Sequence, residues 1–263
     1  MRTPDPWAAP RPLAPEVHRK RLLPAVLSCP ECGDTGWKPT SRPDGSPAVA
    51  VCFCRDAAPA PARLEDIGVP PYFCERARFD YFFKVSPALE RARQTVFKWA
   101  DAYPDVKSGL LLTGPAGVGK THLAVSLLRH ILLERRISVA ARFEYVPRLL
   151  REVQRVWNDP LLIDERRLAE VTRAEIVVLD QLGADTGWDK RVQERLLYIL
   201  NRCILGECVL ICTTTFPLQA AEQSTLADQI TVRGVSLLHE ACRAVPMPGE
   251  DYRDKVINPG LSV

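Results

Sequence analysis

The sequence has no apolar run approaching the roughly 18 to 20 residues that span a bilayer, so no membrane partner is expected. It also lacks a strong charge of either sign. A net charge of +3 over 263 residues is too small to name a nucleic-acid partner by itself. The N-terminus has no continuous apolar h-region, which argues against a secretory signal. Five prolines among the first fifteen residues break any amphipathic targeting helix. No internal repeat is found. These absences predict a soluble, cytoplasmic protein.

What is present is an ordinary globular balance. Hydrophobic residues make up 46% and charged residues 25%, enough apolar mass for one good core. The length suits one medium domain plus something small, or two modest domains. Nine cysteines are an odd number. Four of them, Cys29, Cys32, Cys52 and Cys54, fall close together. The other five, Cys74, Cys203, Cys208, Cys212 and Cys242, are scattered, and in a reducing compartment read as buried small hydrophobes.

Composition divides the chain. Residues 1–28 are rich in Pro, Ala and Arg without a period and predict a disordered tail. The run HRKR at 18–21 reads as a solvated charge cluster, with phosphate or an acidic partner as the sharper alternative. A cysteine module at 29–55 is followed by a linker at 56–85, stiffened at its start by the prolines of DAAPAPAR. From residue 86 to 263 strands and helices alternate. GLLLTG (109–114), ISVAARF (137–143), EIVVLD (175–180) and CVLICTTT (208–215) read as strands, and a short last strand is expected near RAVPMP (243–248). The stretches 120–136, 146–157 and 189–204 read as helices. Strands that are apolar on both faces, separated by helices, predict an α/β fold: a parallel sheet flanked by helices.

The segment GPAGVGKT, Gly114, Pro115, Ala116, Gly117, Val118, Gly119, Lys120 and Thr121, fits the phosphate-loop pattern without a gap, after an apolar strand and before a helix. Glycines let the backbone curl so that successive N–H groups point at phosphate oxygens. The helix N-terminus adds its positive dipole end. Lys120 is expected to reach the β- and γ-phosphates of ATP, and the Thr121 hydroxyl to ligate Mg²⁺. Asp180, at the end of its apolar strand, fits a second Mg²⁺ contact through water. The plainer alternative is an Asp capping the turn that follows.

The cysteine pattern is C-x₂-C, nineteen residues, then C-x-C. Four thiolates can enclose Zn²⁺ in a closed tetrahedral site, structural and not catalytic. A module this short has little core of its own, and a metal would supply the missing folding free energy. A labile disulfide pair or plain thiols are the alternatives.

Several stretches then point one way. CPECGDTGW…VCFCR, ARFDYF (77–82), GLLLTGPAGVGKTHLA (109–124), VLDQLGAD (178–185), ILNRCI (199–204) and PMPGEDYR (246–253) follow one another in the order found in one group. From about residue 29 onward the chain resembles the AAA+ ATPases of the DnaC/IstB type, which are bacterial helicase loaders and transposition helpers. The resemblance implies a P-loop AAA+ core with little or no separate lid, self-association, and contact with single-stranded DNA and either a replicative helicase or a transposase.

Three positions depart from that group's pattern. Where a second acid usually follows the metal-binding Asp, the chain has Gln181. Thr215 stands where an Asn usually senses the γ-phosphate. Near the C-terminus, Leu237 aligns with an Arg that reaches a neighbouring subunit's nucleotide, while Arg233 lies one turn earlier as a substitute finger. The resemblance and its departures together predict an ATP-binding AAA+ protein of DNA replication with slow or absent hydrolysis. The alternatives are an active ATP-hydrolysing loader or transposition helper, and a non-catalytic structural adaptor.

Overall fold

Side chains alternate across the central strands, and the two sets feed two separate apolar layers. In a computed structural model of the chain, residues 37–41, 45–51, 64–82, 86–156, 169, 171–184, 190–219 and 223–253 are described. Leu110, Leu112, Ile176, Val178, Ile211 and Val245 pack into one layer. Leu111, Val177, Leu179, Leu210, Cys212 and Cys242 pack into the other. A period of two with both sets apolar is what a sheet covered on both faces requires.

The sheet has five parallel strands: β3 (Gly109–Thr113), β4 (Ala141–Tyr145), β5 (Ile176–Leu182), β6 (Val209–Thr214) and β7 (Cys242–Pro246). Their order is β4-β5-β6-β3-β7. The first layer is closed by α2 (Pro87–Ala102) and α3 (Lys120–Arg129) through Leu89, Val96, Leu123 and Leu127. The second is closed by α4 (Val146–Val156), α5 (Lys190–Leu205) and α6 (Leu226–Ala241) through Leu149, Leu196, Leu200 and Leu238. Each such side chain, once fully buried, contributes roughly 1.5 to 3 kcal/mol. Among the described residues no helix is long and apolar enough to cross a membrane.

Helix starts follow local chemistry. Pro87 opens α2 with its φ already helical, and Ser86 accepts a hydrogen bond from Leu89 N at 3.2 Å. The stretch 120–136 begins as α-helix and widens into a π-turn at His130–Glu134, with Arg135 N donating to His130 O at 2.8 Å. The expected strand at 137–143 starts later. Glu175 N and Ile176 N both donate to Ala140 O, so pairing with β5 begins there.

Residues 64–82 correct the linker expectation for that stretch. A 3₁₀ turn (Leu64–Ile67), α1 (Pro71–Arg76) and a second turn (Phe79–Tyr81) lie against the first layer. Leu64, Ile67, Val69, Phe79 and Phe82 are buried there. Arg129 fastens the segment from α3, donating from Nε to Ala77 O at 3.0 Å and from Nη2 to Cys74 O. The physical reason is apolar: five large side chains outweigh the proline-rich stretch that precedes them.

In the N-terminal region a separate antiparallel hairpin pairs β1 (Trp37–Ser41) with β2 (Pro47–Val51), Trp37 opposite Val51. Cys29, Cys32, Cys52 and Cys54, like the tail at 1–28, lie outside the described residues.

Candidate nucleotide site

The segment 114–119 links the end of β3 to the start of α3, so the loop rests on the C-terminal edge of a parallel sheet. Ligands of such sheets sit in the crevice outside that edge, where strand order reverses. Here β3 is followed in space by β6 on one side and β7 on the other. Gly114 has φ 152°, and a Cβ there would stand 2.1 Å from Met247 O, so only glycine fits against the chain leaving β7. Gly114 N donates to Thr214 O at 3.3 Å and Met247 N to Thr113 O at 2.7 Å, which tie the loop's start to both neighbours.

Lys120, Thr121 and Asp180 converge. The Thr121 hydroxyl donates to Asp180 Oδ1 at 2.9 Å. Lys120 Nζ donates to Gly114 O at 2.7 Å and to Pro115 O at 2.6 Å. Burial lowers the Lys120 pKa to about 8, only partly opposed by the Asp180 carboxylate. Burial likewise raises Asp180 above the usual carboxylate value, against the pull of the Thr213 and Thr121 hydroxyls and Lys120. Both charges are therefore costly as they stand, and each gains from an added counter-charge. A carboxylate beside a hydroxyl is a hard-oxygen donor set that suits Mg²⁺, provided phosphate and water complete the octahedron.

β5 does not end at Asp180. It bulges between Leu179 and Leu182 and continues to Leu182. Gln181 takes φ 62°, a left-handed conformation costing on the order of 1 to 3 kcal/mol in a residue other than glycine. Its N–H donates to Thr213 Oγ1 at 2.9 Å, and its side-chain Oε1 accepts from Tyr145 OH at 3.3 Å. Thr213 Oγ1 in turn donates to Asp180 Oδ1 at 2.7 Å. Thr213 is thus the hub that joins Asp180 and Gln181. Sequence reasoning passed over it in favour of Thr215, although Thr213 sits in the same run of three threonines and is fully buried.

The other candidate positions are Thr215, Arg233 and Leu237. Thr215 lies past the end of β6, exposed, on the wall of a cavity of about 550 Å³ that also touches Thr113, Gly114, Pro115, His239 and Met247. Arg233 is exposed on α6, just beyond Thr231, whose φ of 71° breaks the helix. Leu237 is half-buried and packs on the second apolar layer. The segment carrying Asp251 and Arg253 comes to the loop as well. Tyr252 N donates to Gly117 O at 3.3 Å.

Known proteins resemble the chain in family and in fold. The family described as "IstB-like ATP binding protein" matches residues 76–258. A Mycobacterium tuberculosis protein named for ATP binding in an insertion sequence is 25% identical over 187 residues, 67% of each chain. A Pseudomonas aeruginosa protein, named for ATP binding in insertion sequence IS21, is 28% identical over 116 residues, 43% of this chain and 40% of that one. Among solved structures the DnaC helicase loader superimposes with a TM-score of 0.59 at 24% identity, covering 68% of this chain and 99% of that one. The AMPPCP-bound DnaA of Aquifex aeolicus gives 0.54 at 17% identity, covering 74% and 56%.

Proposed function

Because the chain belongs to the IstB-like ATP-binding protein family, we propose that it is an ATP-dependent helper of DNA transposition that works by self-association on DNA beside a transposase. The observation that carries this reading is the meeting of Lys120, Thr121 and Asp180 at the mouth of a glycine-rich loop, inside the matched residues. The sequence alone puts replication first. Both curated relatives are named for insertion sequences, and that favours transposition. The likeness to helicase loaders is one of fold and supports the second reading, a loader of a replicative helicase on single-stranded DNA.

In this reading the backbone of 114–119 cradles the phosphates and Lys120 turns from Gly114 O and Pro115 O to the β- and γ-oxygens. Thr121 and Asp180 hold Mg²⁺, which would neutralise charge developing on the phosphates. Gln181 orients water through its amide but cannot take its proton at neutral pH. Hydrolysis is then slow in the isolated chain and depends on a cation from a neighbouring subunit, for which Arg233 is exposed and Leu237 is unsuited. Fingers of this kind contribute on the order of 10³ to 10⁵ in rate in related chemistry.

The test is thermal unfolding with and without ATP and Mg²⁺. A ligand at about a hundred times its dissociation constant adds roughly 2.7 kcal/mol to the native state. That stabilisation is expected in the natural protein and absent in Lys120→Ala; no shift at millimolar ATP in the natural protein sinks the reading. Co-purification from the native cell then separates a transposase partner from a helicase. Phosphate release with DNA and that partner, compared with Arg233→Ala, tests the finger.

The four clustered cysteines flank the β1–β2 hairpin in sequence, and their spacing supports a closed structural Zn²⁺ site. One zinc per chain is expected after purification without chelator, with Cys29→Ser losing the metal and keeping the ATP-dependent thermal shift. A metal-free preparation that keeps a protease-resistant N-terminal region rules zinc out.

A further inference from the structure

The segment 249–253 returns across the phosphate loop as a strap. At its base a Cβ on Gly249 would meet Leu89 and Val118 at 3.5 and 3.6 Å, ordinary contact distances, so the strap rests on the first apolar layer and the loop. At its far end a Cβ on Gly117 would lie 1.7 Å from Asp251 Oδ1, which places the carboxylate directly against the loop's tip. Arg253 grips that carboxylate three times: N to Oδ1 at 2.9 Å, Nε to Oδ1 at 3.0 Å, and Nη2 to Oδ2 at 2.8 Å. Both side chains act on the Lys120 ammonium, with opposite signs.

A loop that cradles phosphate gains from every nearby cation and loses from every nearby anion. Here the strap brings one of each, and they neutralise each other. We propose that Asp251 sets the polyphosphate affinity of this loop as a built-in counter-charge, occupying Arg253 and repelling incoming phosphate, so that ATP binds by prising the strap from Gly117 and freeing Arg253. The proposal rests on the nucleotide reading above and adds a residue that limits affinity. It distinguishes ligands by charge: a triphosphate gains most from the freed guanidinium, a diphosphate less, a monophosphate least.

Asp251→Asn keeps the side chain's shape and one acceptor for Arg253 while removing the charge. A strap closed nine-tenths of the time would weaken apparent affinity about tenfold. Titration with ATP, ADP and AMP in the presence of Mg²⁺ is therefore expected to show about tenfold tighter ATP binding in the variant, a smaller gain for ADP and little for AMP. Hydrogen exchange on the natural protein gives a second measurement that needs no variant. Saturating ATP should speed exchange at the amides of Tyr252 and Arg253, whose acceptors are Gly117 O and Asp251. ATP binding that is equal or weaker in a folded Asp251→Asn overturns the proposal alone. So does slower exchange of the strap with ATP. Binding of nucleotide by neither protein overturns both the nucleotide reading and this one.

Discussion

Asp180 and Asp251 both act on the Lys120 ammonium, from opposite kinds of surroundings. Asp180 sits inside, 2% exposed, behind the sheet edge and held by two threonine hydroxyls. Burial raises its proton affinity. Asp251 sits outside on the strap, and the Arg253 guanidinium holds its carboxyl below the usual range. When ionised, the inner carboxylate bears a desolvation cost that a metal ion would relieve. The outer one is satisfied by its own neighbour and has nothing to gain from phosphate. Equal charges beside one lysine are thus suited to opposite tasks, and the difference lies in desolvation and partner, not in distance alone.

The largest expected effect breaks the inner side of this comparison. Asp180→Asn removes a charged oxygen proposed to hold Mg²⁺. A bound metal supplies several kcal/mol of charge stabilisation, so partner-stimulated phosphate release should fall by about a hundredfold or more. Without nucleotide, the same variant should lose the fall in stability that the natural protein shows as pH rises above the ordinary carboxylate value. The sign follows from linkage. A carboxylate whose folded pKa is raised binds more protons when folded, so stability drops as pH climbs through that window, and an uncharged Asn avoids the loss. An equal fall of stability with pH in Asp180→Asn, followed by urea denaturation, would contradict the argument.

A smaller effect sharpens the role of the hub. Thr213→Val keeps the shape but removes the donor to Asp180 and the acceptor for Gln181 N–H. A buried polar group left without its partner costs about 1 to 3 kcal/mol, and urea denaturation should show a loss in that range. Thr215→Val, two residues on and exposed, should change stability by less than about 0.5 kcal/mol. Equal effects at the two positions would dissolve the distinction between them.

The pattern of what could be read from the chain follows contact range. β3, β5 and β6 are legible because strands buried on both faces are apolar throughout. The loop from Gly114 to Thr121 is contiguous, and its strand and helix adjoin it in sequence. Asp180 follows an unbroken apolar run. What escaped depends on distant partners. The bulge at Gln181 exists only against β6, and its hydrogen bond to Thr213 spans 32 residues. The burial of 64–82 depends on α3, through an arginine 52 residues beyond Ala77. The strap matters because Asp251 meets Gly117, more than a hundred residues earlier, and no local pattern announces that contact. Arg233 and Leu237 are legible only through the family resemblance, and their exposures on α6 separate them in a way that spacing could not.

The smallest expected effect concerns the lysine shared by both carboxylates. Its folded pKa is near 8, against 10.5 for an ordinary lysine. A cation with a lowered folded pKa binds fewer protons when folded than when unfolded across that interval. Stability of the nucleotide-free protein should therefore rise as pH increases from about 8 toward 10.5. One proton can contribute at most about 1.4 kcal/mol per pH unit, and the carbonyls of Gly114 and Pro115 already solvate the ammonium, so the slope should be well below that limit. Lys120→Met removes the titration and should flatten this part of the profile. Asp251→Asn tests the outer carboxylate separately: with that negative charge gone and Arg253 remaining, the Lys120 ammonium is harder to keep, and the rise should begin at lower pH. Asp180→Asn removes a larger support and should move it further in the same direction. Urea midpoints measured across pH 7 to 10 for the natural protein and these three variants decide the matter. A larger displacement in Asp251→Asn than in Asp180→Asn would reverse the order of influence that burial assigns to the two carboxylates.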